Sequence, residues 1–300
     1  MGKRWLAILV AAGLAMLAGP VLAQTAKGGE KAKSSNEISL GNAAHERGDF
    51  AEAARQYKAG CDAGDPLSCF NLGLLYRDGK GVTRDFPASN KLFDQACKGG
   101  DSWGCTNLGF AHQQGRGLPV DLKAAHDSYA RGCELGDEKS CFNLAIIYDG
   151  GKGVTKDSVK AMDYCGRACD LGDAKSCFNM AYNYENGLGV KRNPGSAADL
   201  YQKACDLEDG LACFNLGLIY EDGKWGLPQD ITKAARLYRR ACDGGDPKGC
   251  FNMGLGYETG HGVPRDGELA LAYYRKGQKL DPEPKVRSLL EKAVARLGGD

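Results

Sequence analysis

From residue 61 onward the apolar positions return on a fixed beat. The segment Cys69-Phe70-Asn71-Leu72-Gly73-Leu74-Leu75-Tyr76 opens a helix, and its frame comes back at Cys141 and Cys213 and, with small changes, at Cys105, Cys177 and Cys250. Leu72, Gly73 and Tyr76 stand three, four and seven positions after the cysteine, a spacing that puts them on one helical face. Gly79 and Gly81 then stop the helix. Asp85 is placed to cap a second helix, as are Asp121, Asp157, Asp230 and Asp266, with Asn193 in the same role. That second helix carries a small residue where helices must approach closely: Ala53, Ser89, Ala125, Ala161, Ala197, Ala234 and Ala270. Four positions later comes a bulky ring: Tyr57, Phe93, Tyr129, Tyr201, Tyr238 and Tyr274.

The turn between helix pairs is equally regular. Gly64, Gly100, Gly136, Gly172 and Gly245 fit a left-handed position that ends a helix, and Glu208 in that slot predicts local strain. An aspartate follows each time (Asp65, Asp101, Asp137, Asp173, Asp209, Asp246) and can accept backbone N–H bonds from the next helix. Pro66 and Pro247 come next, at the first helical position, where proline costs least. The pattern predicts an array of helix pairs in which each pair contacts its neighbours.

Twelve of the thirteen cysteines fall in pairs with seven residues between, and the first cysteines are 36 residues apart until a final step of 37 at the Lys224-Trp225-Gly226 loop. Two pairings are geometrically open: local, or across a whole helix pair. The second orphans Cys61 and Cys250, because Glu37 and Gln278 occupy the partner positions. The local scheme leaves none of the twelve over. It joins Cys61 to Cys69, Cys97 to Cys105, Cys133 to Cys141, Cys169 to Cys177, Cys205 to Cys213 and Cys242 to Cys250. Each ring is worth about 2.5 kcal/mol by loop entropy. The thirteenth, Cys165, stands in the ring slot of its helix and is expected to keep its thiol as a buried filler. No C-x-x-C is present and the histidines are scattered at 45, 112, 126 and 261, so no zinc site or other cofactor is expected.

With 39 basic against 38 acidic side chains there is no electrostatic case for a nucleic-acid partner. The first residues read as an export signal: Lys3 and Arg4, an apolar run Trp5–Ala18 too short for an ordinary span, Pro20, and Val21-Leu22-Ala23 before Gln24. Export suits paired cysteines. Removal of residues 1–23 leaves no apolar run able to span a bilayer, so no stable membrane insertion is expected. Residues 24–36 are small and polar and predict a loose tether.

The recurring C-F-N-L-G-x-x-Y-x-x-G-x-G-V frame resembles the Sel1-like repeat, a relative of the tetratricopeptide repeat, in the cysteine-paired form of the Helicobacter cysteine-rich proteins. The resemblance implies an all-α fold, a right-handed, disulfide-stapled α-solenoid. Seven Sel1-like helix pairs would span residues 37–280, with a C-terminal capping helix within 281–300. The first pair lacks the glycine loop. The cap shows Val286, Leu289, Leu290, Ala293, Val294 and Leu297 on one face.

By that resemblance a binding groove is lined from the first helix of each pair. Its first row is Phe70, Thr106, Phe142, Phe178, Phe214 and Phe251; its second Leu74, Phe110, Ile146, Tyr182, Leu218 and Leu255; its third Arg77, Gln113, Asp149, Glu185, Glu221 and Glu258. Such a groove suits a protein or peptide partner with apolar anchors and some basic character, held by a monomeric scaffold outside the cytoplasm. The competing structural reading packs the phenylalanines inside the array. An asparagine row (Asn71, Asn107, Asn143, Asn179, Asn215, Asn252) reads as satisfying backbone groups within it. The alternative function is hydrolytic, since the resemblance also implies β-lactamase or penicillin-binding activity. None of the twelve serines begins S-x-x-K, and S-D-N and K-T-G are absent, so no catalytic residue is assigned.

Overall fold

The computed structural model describes residues 34–298. The signal-like segment lies outside the described residues, as does the tether up to residue 33. The chain is already helical from Ser34, so that 34–36 of the expected tether belong to α1, and Glu37 sits in that first turn, where a carboxylate favours the helix dipole.

All regular elements among the described residues are helices, and they fall into two compact bodies, one ending at Leu171 and one beginning at Gly172. The first body holds α1 (Ser34–Glu46), α2 (Phe50–Asp62), α3 (Pro66–Asp78), α4 (Phe86–Lys98), α5 (Ser102–Gln114), α6 (Leu122–Glu134), α7 (Glu138–Gly150) and α8 (Ser158–Asp170). The second holds α9 (Ala174–Asn186), α10 (Pro194–Asp206), α11 (Gly210–Asp222), α12 (Ile231–Asp243), α13 (Pro247–Thr259), α14 (Gly267–Gln278) and α15 (Pro284–Gly298). Within each body every helix packs on the next, and α5 also touches α7, as α11 touches α13. This is the contact pattern of an α-solenoid built from helix pairs.

One set of local interactions makes every pair. The Asp65 carboxylate accepts the Ser68 N–H at 2.7 Å and the Asp85 carboxylate accepts the Ala88 N–H at 2.9 Å. Each satisfies a donor the helix start leaves over. Gly79 ends α3 at φ 69° and donates to the Leu75 carbonyl. The Asp85 N–H then bonds back to the Tyr76 carbonyl at 3.0 Å, and the same closure recurs at Asp121, Asp157, Asn193, Asp230 and Asp266. Gly81 is required by contact as well as by its φ of 67°: a Cβ there would lie 2.2 Å from the Phe50 carbonyl carbon of the preceding pair. The longer loop at Lys224–Gly226 takes up its extra residue with Trp225 at φ 62°, and α11 and α12 keep the 13 residues of their neighbours. Glu208 holds a left-handed φ of 67°, the strain its position predicted.

The second-helix ring fills the core of each pair. Tyr57, Tyr129, Tyr201 and Tyr274 are fully buried, each worth about 1.5–3 kcal/mol of apolar burial. The first helix makes room for the ring by omitting a side chain. A Cβ on Gly73 would stand 2.7 Å from the Phe93 ring, and one on Gly254 2.6 Å from Tyr274. Where Cys165 replaces the ring, the facing residue is Ala145; Ala181, beside the intact Tyr201, shows that the methyl is tolerated.

Disulfides join Cys61 to Cys69, Cys97 to Cys105, Cys133 to Cys141, Cys205 to Cys213 and Cys242 to Cys250, with Cα atoms 4.5–4.7 Å apart. Cys169 and Cys177 are also disulfide-bonded, and Cys165 stands outside the bridges, buried. Each of the first five bridges ties the end of one pair's second helix to the first turn of the next pair. At three junctions an arginine from the second helix one pair on closes over the same point. Arg131 Nε donates to the Cys97 carbonyl at 3.0 Å, and Arg240 Nη2 to the Cys205 carbonyl at 2.7 Å, each meeting the negative end of the helix dipole.

At the C-terminus α15 buries Val286, Leu290 and Ala293 against Ala270 and Tyr274. Leu289, expected on that face, is exposed. The buried stripe follows the four-residue step from Val286 to Leu290, and Leu289 falls beside it.

Candidate functional site

Three rows run along the first helices, and the structure gives them three different surroundings. The first row mostly turns inward. Phe70, Thr106 and Phe178 are buried, and Phe142, Phe214 and Phe251 are half-buried. Their rings pack on the second-helix ring of the same pair: Phe70 on Phe93 with centroids 5.9 Å apart, Phe178 on Tyr201 at 5.6 Å, Phe214 on Tyr238 at 5.9 Å, and Phe251 on Tyr274 at 5.7 Å. The expected first groove row is therefore largely core. Thr106 replaces a ring with a buried polar knot: its hydroxyl donates to Asp137 Oδ2 at 2.7 Å and lies 2.5 Å from Ser140 Oγ.

The second row is the accessible apolar one. Leu74, Phe110, Ile146, Tyr182 and Leu218 are half-buried and Leu255 is exposed. The Arg116 guanidinium lies 5.0 Å above the Phe110 ring.

The third row is anchored from beneath. In the second body the buried Tyr201 hydroxyl donates to Glu185 Oε2 at 2.6 Å, Tyr238 to Glu221 Oε2 at 2.5 Å, and Tyr274 to Glu258 Oε2 at 2.7 Å. Burial first, and then the facing carboxylate, push these three phenols well above the usual range. They remain donors at any physiological pH. Glu221 Oε1 lies 3.4 Å from His261 Nε2, and Glu258 Oε2 also accepts Arg296 Nη2 at 2.6 Å. Burial pushes the Glu258 carboxyl up, but the bonds from Arg296 and Tyr274 outweigh it and hold it below the usual carboxylate range.

In the first body the row is heterogeneous. The Tyr129 hydroxyl donates to Gln113 Oε1 at 2.9 Å. Arg77 faces Phe93, which carries no hydroxyl, and is held instead by Asp78 and by Asn107 Oδ1 at 3.2 Å. Asp149 is buried at 7% exposure, with Lys156 Nζ at 3.7 Å, in the pair where Cys165 replaces the ring. The anchoring hydroxyl was missed in the sequence. Its signal was there: every matched-repeat tyrosine in the ring slot stands opposite a third-row Gln or Glu, and the phenylalanine stands opposite Arg77.

The asparagine row is consumed by the array where its bonds are resolved. Asn107 Nδ2 donates to the Trp103 carbonyl at 2.9 Å. Asn215 and Asn252 bond to the Tyr201 and Tyr238 hydroxyls of the preceding pairs. His112, which breaks the Tyr76 row, is half-buried, and its Nδ1 has no hydrogen-bond partner. Among the described residues no group of histidine, cysteine and acid side chains is arranged to hold a metal ion. No described helix is long and apolar enough to cross a membrane.

The Sel1 repeat matches residues 66–101, 104–137, 138–173, 174–209, 210–246 and 247–277. The chain belongs to the Sel1 repeat family. The six matched repeats begin at α3, so α1, α2 and α15 lie outside them. None of the curated proteins compared matches this sequence. Among solved structures, a Sel1 repeat protein from Oxalobacter formigenes is 25% identical with a TM-score of 0.67, covering 81% of this chain and 99% of its own. The protein c5321, a protective antigen of uropathogenic Escherichia coli, is 22% identical with a TM-score of 0.52, covering 88% of this chain and 68% of its own. Cysteine-rich protein B of Helicobacter pylori is 30% identical over 47% of this chain and 99% of its own, with a TM-score of 0.36.

Proposed function

We propose that this Sel1 repeat chain is an exported scaffold that holds a protein or peptide partner on the first-helix face of its repeats. The observation that carries the reading is the third row of the second body. Glu185, Glu221 and Glu258 are partly accessible carboxylates, each fixed by a buried phenol. A fixed charge loses little side-chain entropy when a ligand arrives, so affinity is not spent on ordering it. Beside the acids run Tyr182, Leu218 and Leu255. The partner this combination fits is a segment with apolar anchors and basic side chains. The six bridged cysteine pairs support a reading in which the chain works in an oxidising compartment outside the cytoplasm.

The test uses a substitution the protein already contains. Gln113 accepts from Tyr129 as the glutamates accept from their tyrosines, so Glu185→Gln with Glu221→Gln removes charge while keeping the anchor bond. Wild-type chain retains a partner from the extracytoplasmic fraction, and the double variant, with an unchanged helical signal, retains at least tenfold less. Equal retention by the two overturns this placement of the binding face.

A further inference from the structure

We infer that the Cys61–Cys69 bridge is a redox-addressable rung: a dithiol reductant opens it selectively in the folded protein and releases the α1–α2 pair from α3, while the other bridges stay closed. The proposal is independent of where a partner binds.

The bridges differ in cover. The other eleven bridge cysteines are each 4% exposed or less, whereas Cys61 is only partly buried. Two features of the fold explain the difference. First, the end of a later second helix is backed by the cysteine on the first helix of its own pair, as at Cys133 and at the bridge-free end before Gln278. A Cβ on Gly132, beside Cys133, would lie 3.3 Å from the Cys105 Cβ, and one on Gly277 would lie 3.1 Å from the Cys250 Cβ. Ahead of Cys61 that slot holds Glu37, whose Cβ stands 3.6 Å from the same point on Gly60. Second, the cation that closes over the junction is missing. Arg131 covers the Cys97 carbonyl, Arg167 reaches the Cys133 carbonyl and Arg240 covers the Cys205 carbonyl. The same position over Cys61 is Gln95, whose neutral carboxamide oxygen rests 3.7 Å from the sulfur.

Thiol–disulfide exchange needs a thiolate to reach one sulfur in line with the S–S bond, so access governs the rate among bridges of like geometry. The reductant's first thiolate attacks Cys61 Sγ, and Cys69 leaves as a thiolate and takes a proton. The reductant's second thiol then displaces Cys61 as a thiol. The reductant departs as its own disulfide, having supplied both electrons. Until then this bridge covalently fastens the end of α2 to the first turn of α3. Once it is open, the α2–α3 turn and side-chain packing alone hold the N-terminal pair.

The experiment uses the oxidised, folded, full chain. Dithiothreitol is added under native conditions, samples are quenched with N-ethylmaleimide at intervals, and labelled peptides are quantified by mass spectrometry. Cys61 and Cys69 are labelled at least tenfold faster than the other bridge cysteines, and amide exchange in α1 and α2 then accelerates while α5 to α8 keep their protection. Labelling of all bridges at one rate means reduction through global unfolding and overturns the proposal, as does any other bridge opening first. Gln95→Arg, which copies the cover at Cys97, slows the Cys61–Cys69 rate severalfold with the remaining rates unchanged; an unchanged rate at that bridge overturns the assignment of its exposure to this position.

Discussion

The two bodies use one backbone plan and treat its third row in opposite ways. In the second body every repeat sets a glutamate on a buried tyrosine hydroxyl. In the first body no two matched repeats agree: Arg77 faces Phe93, Gln113 accepts from Tyr129, and Asp149 shares a pair with Cys165. The first-helix lengths and the loop closures are nonetheless the same in both. The phenol–acceptor bond is therefore not what folds the repeat. The fold requires a filler beneath the first helix, and the polar end of that filler is left open to selection for the surface above it.

Breaking the shared part should hurt both bodies alike. Cys133→Ala with Cys141→Ala, and Cys205→Ala with Cys213→Ala, are each expected to cost about 2.5 kcal/mol in denaturant unfolding. A large inequality between the two would show that the bodies depend differently on their bridges. Disturbing the variable part should split them. Phe93→Tyr points a hydroxyl at a guanidinium that can donate to its oxygen but cannot take its proton, so the phenol O–H is left without an acceptor, a loss of about 1 kcal/mol. Adding Arg77→Gln copies the Gln113–Tyr129 pair and should recover most of that loss. Tyr201→Phe strips a charged acceptor of its donor and should cost about 1–2 kcal/mol. Recovery failing in the first case would mean that the acceptor does not set the choice of ring.

Smaller effects sharpen the comparison at the turns. Glu208 alone among the inter-repeat turn positions lacks glycine, and its glycine counterparts have no atom close to where a Cβ would stand. Glu208→Gly should raise stability by about 1 kcal/mol through relief of the left-handed backbone, read as a shift in denaturation midpoint. The smallest effect is one of pH. Burial, against the N–H bond from Gly104 and with Asp65 and Asp137 nearby, pushes the Asp101 carboxyl up to about 6. The folded state then holds the proton more tightly than the unfolded one, so this group's contribution to stability grows as pH falls through 6 and declines as pH rises through it. Asp101→Asn keeps a capping side chain, as Asn193 shows, and should lose that slope between pH 7 and pH 4.5. Identical slopes would remove Asp101 as its source.

The elements were legible because their causes are local. An aspartate at a fixed offset, a glycine before it in five of six turns and a proline after it in two say where the helices start and stop, and the repetition restates the register along the array. The cysteine partners followed from the same register. The exposed face was less legible. A first helix such as α5 or α13 touches its own second helix, the second helix before it and a neighbouring first helix, so little of its circumference is left for solvent. Whether Phe70 points at a ligand or at Phe93 depends on how the pair crosses, and a one-helix pattern does not carry that angle. The fixed acids were hidden for the same reason: the hydroxyl holding Glu185 is 16 residues away in sequence.

The loop around Trp225 takes an additional residue while the helices on either side keep their length and their caps. A protein made this way can evolve by duplication and excision of whole modules, with imprecise joints forgiven at the hairpin tip. Grafting a short epitope there, or splicing in a further copy of residues 210–246, should yield a longer ruler with the spacing of its marks preserved.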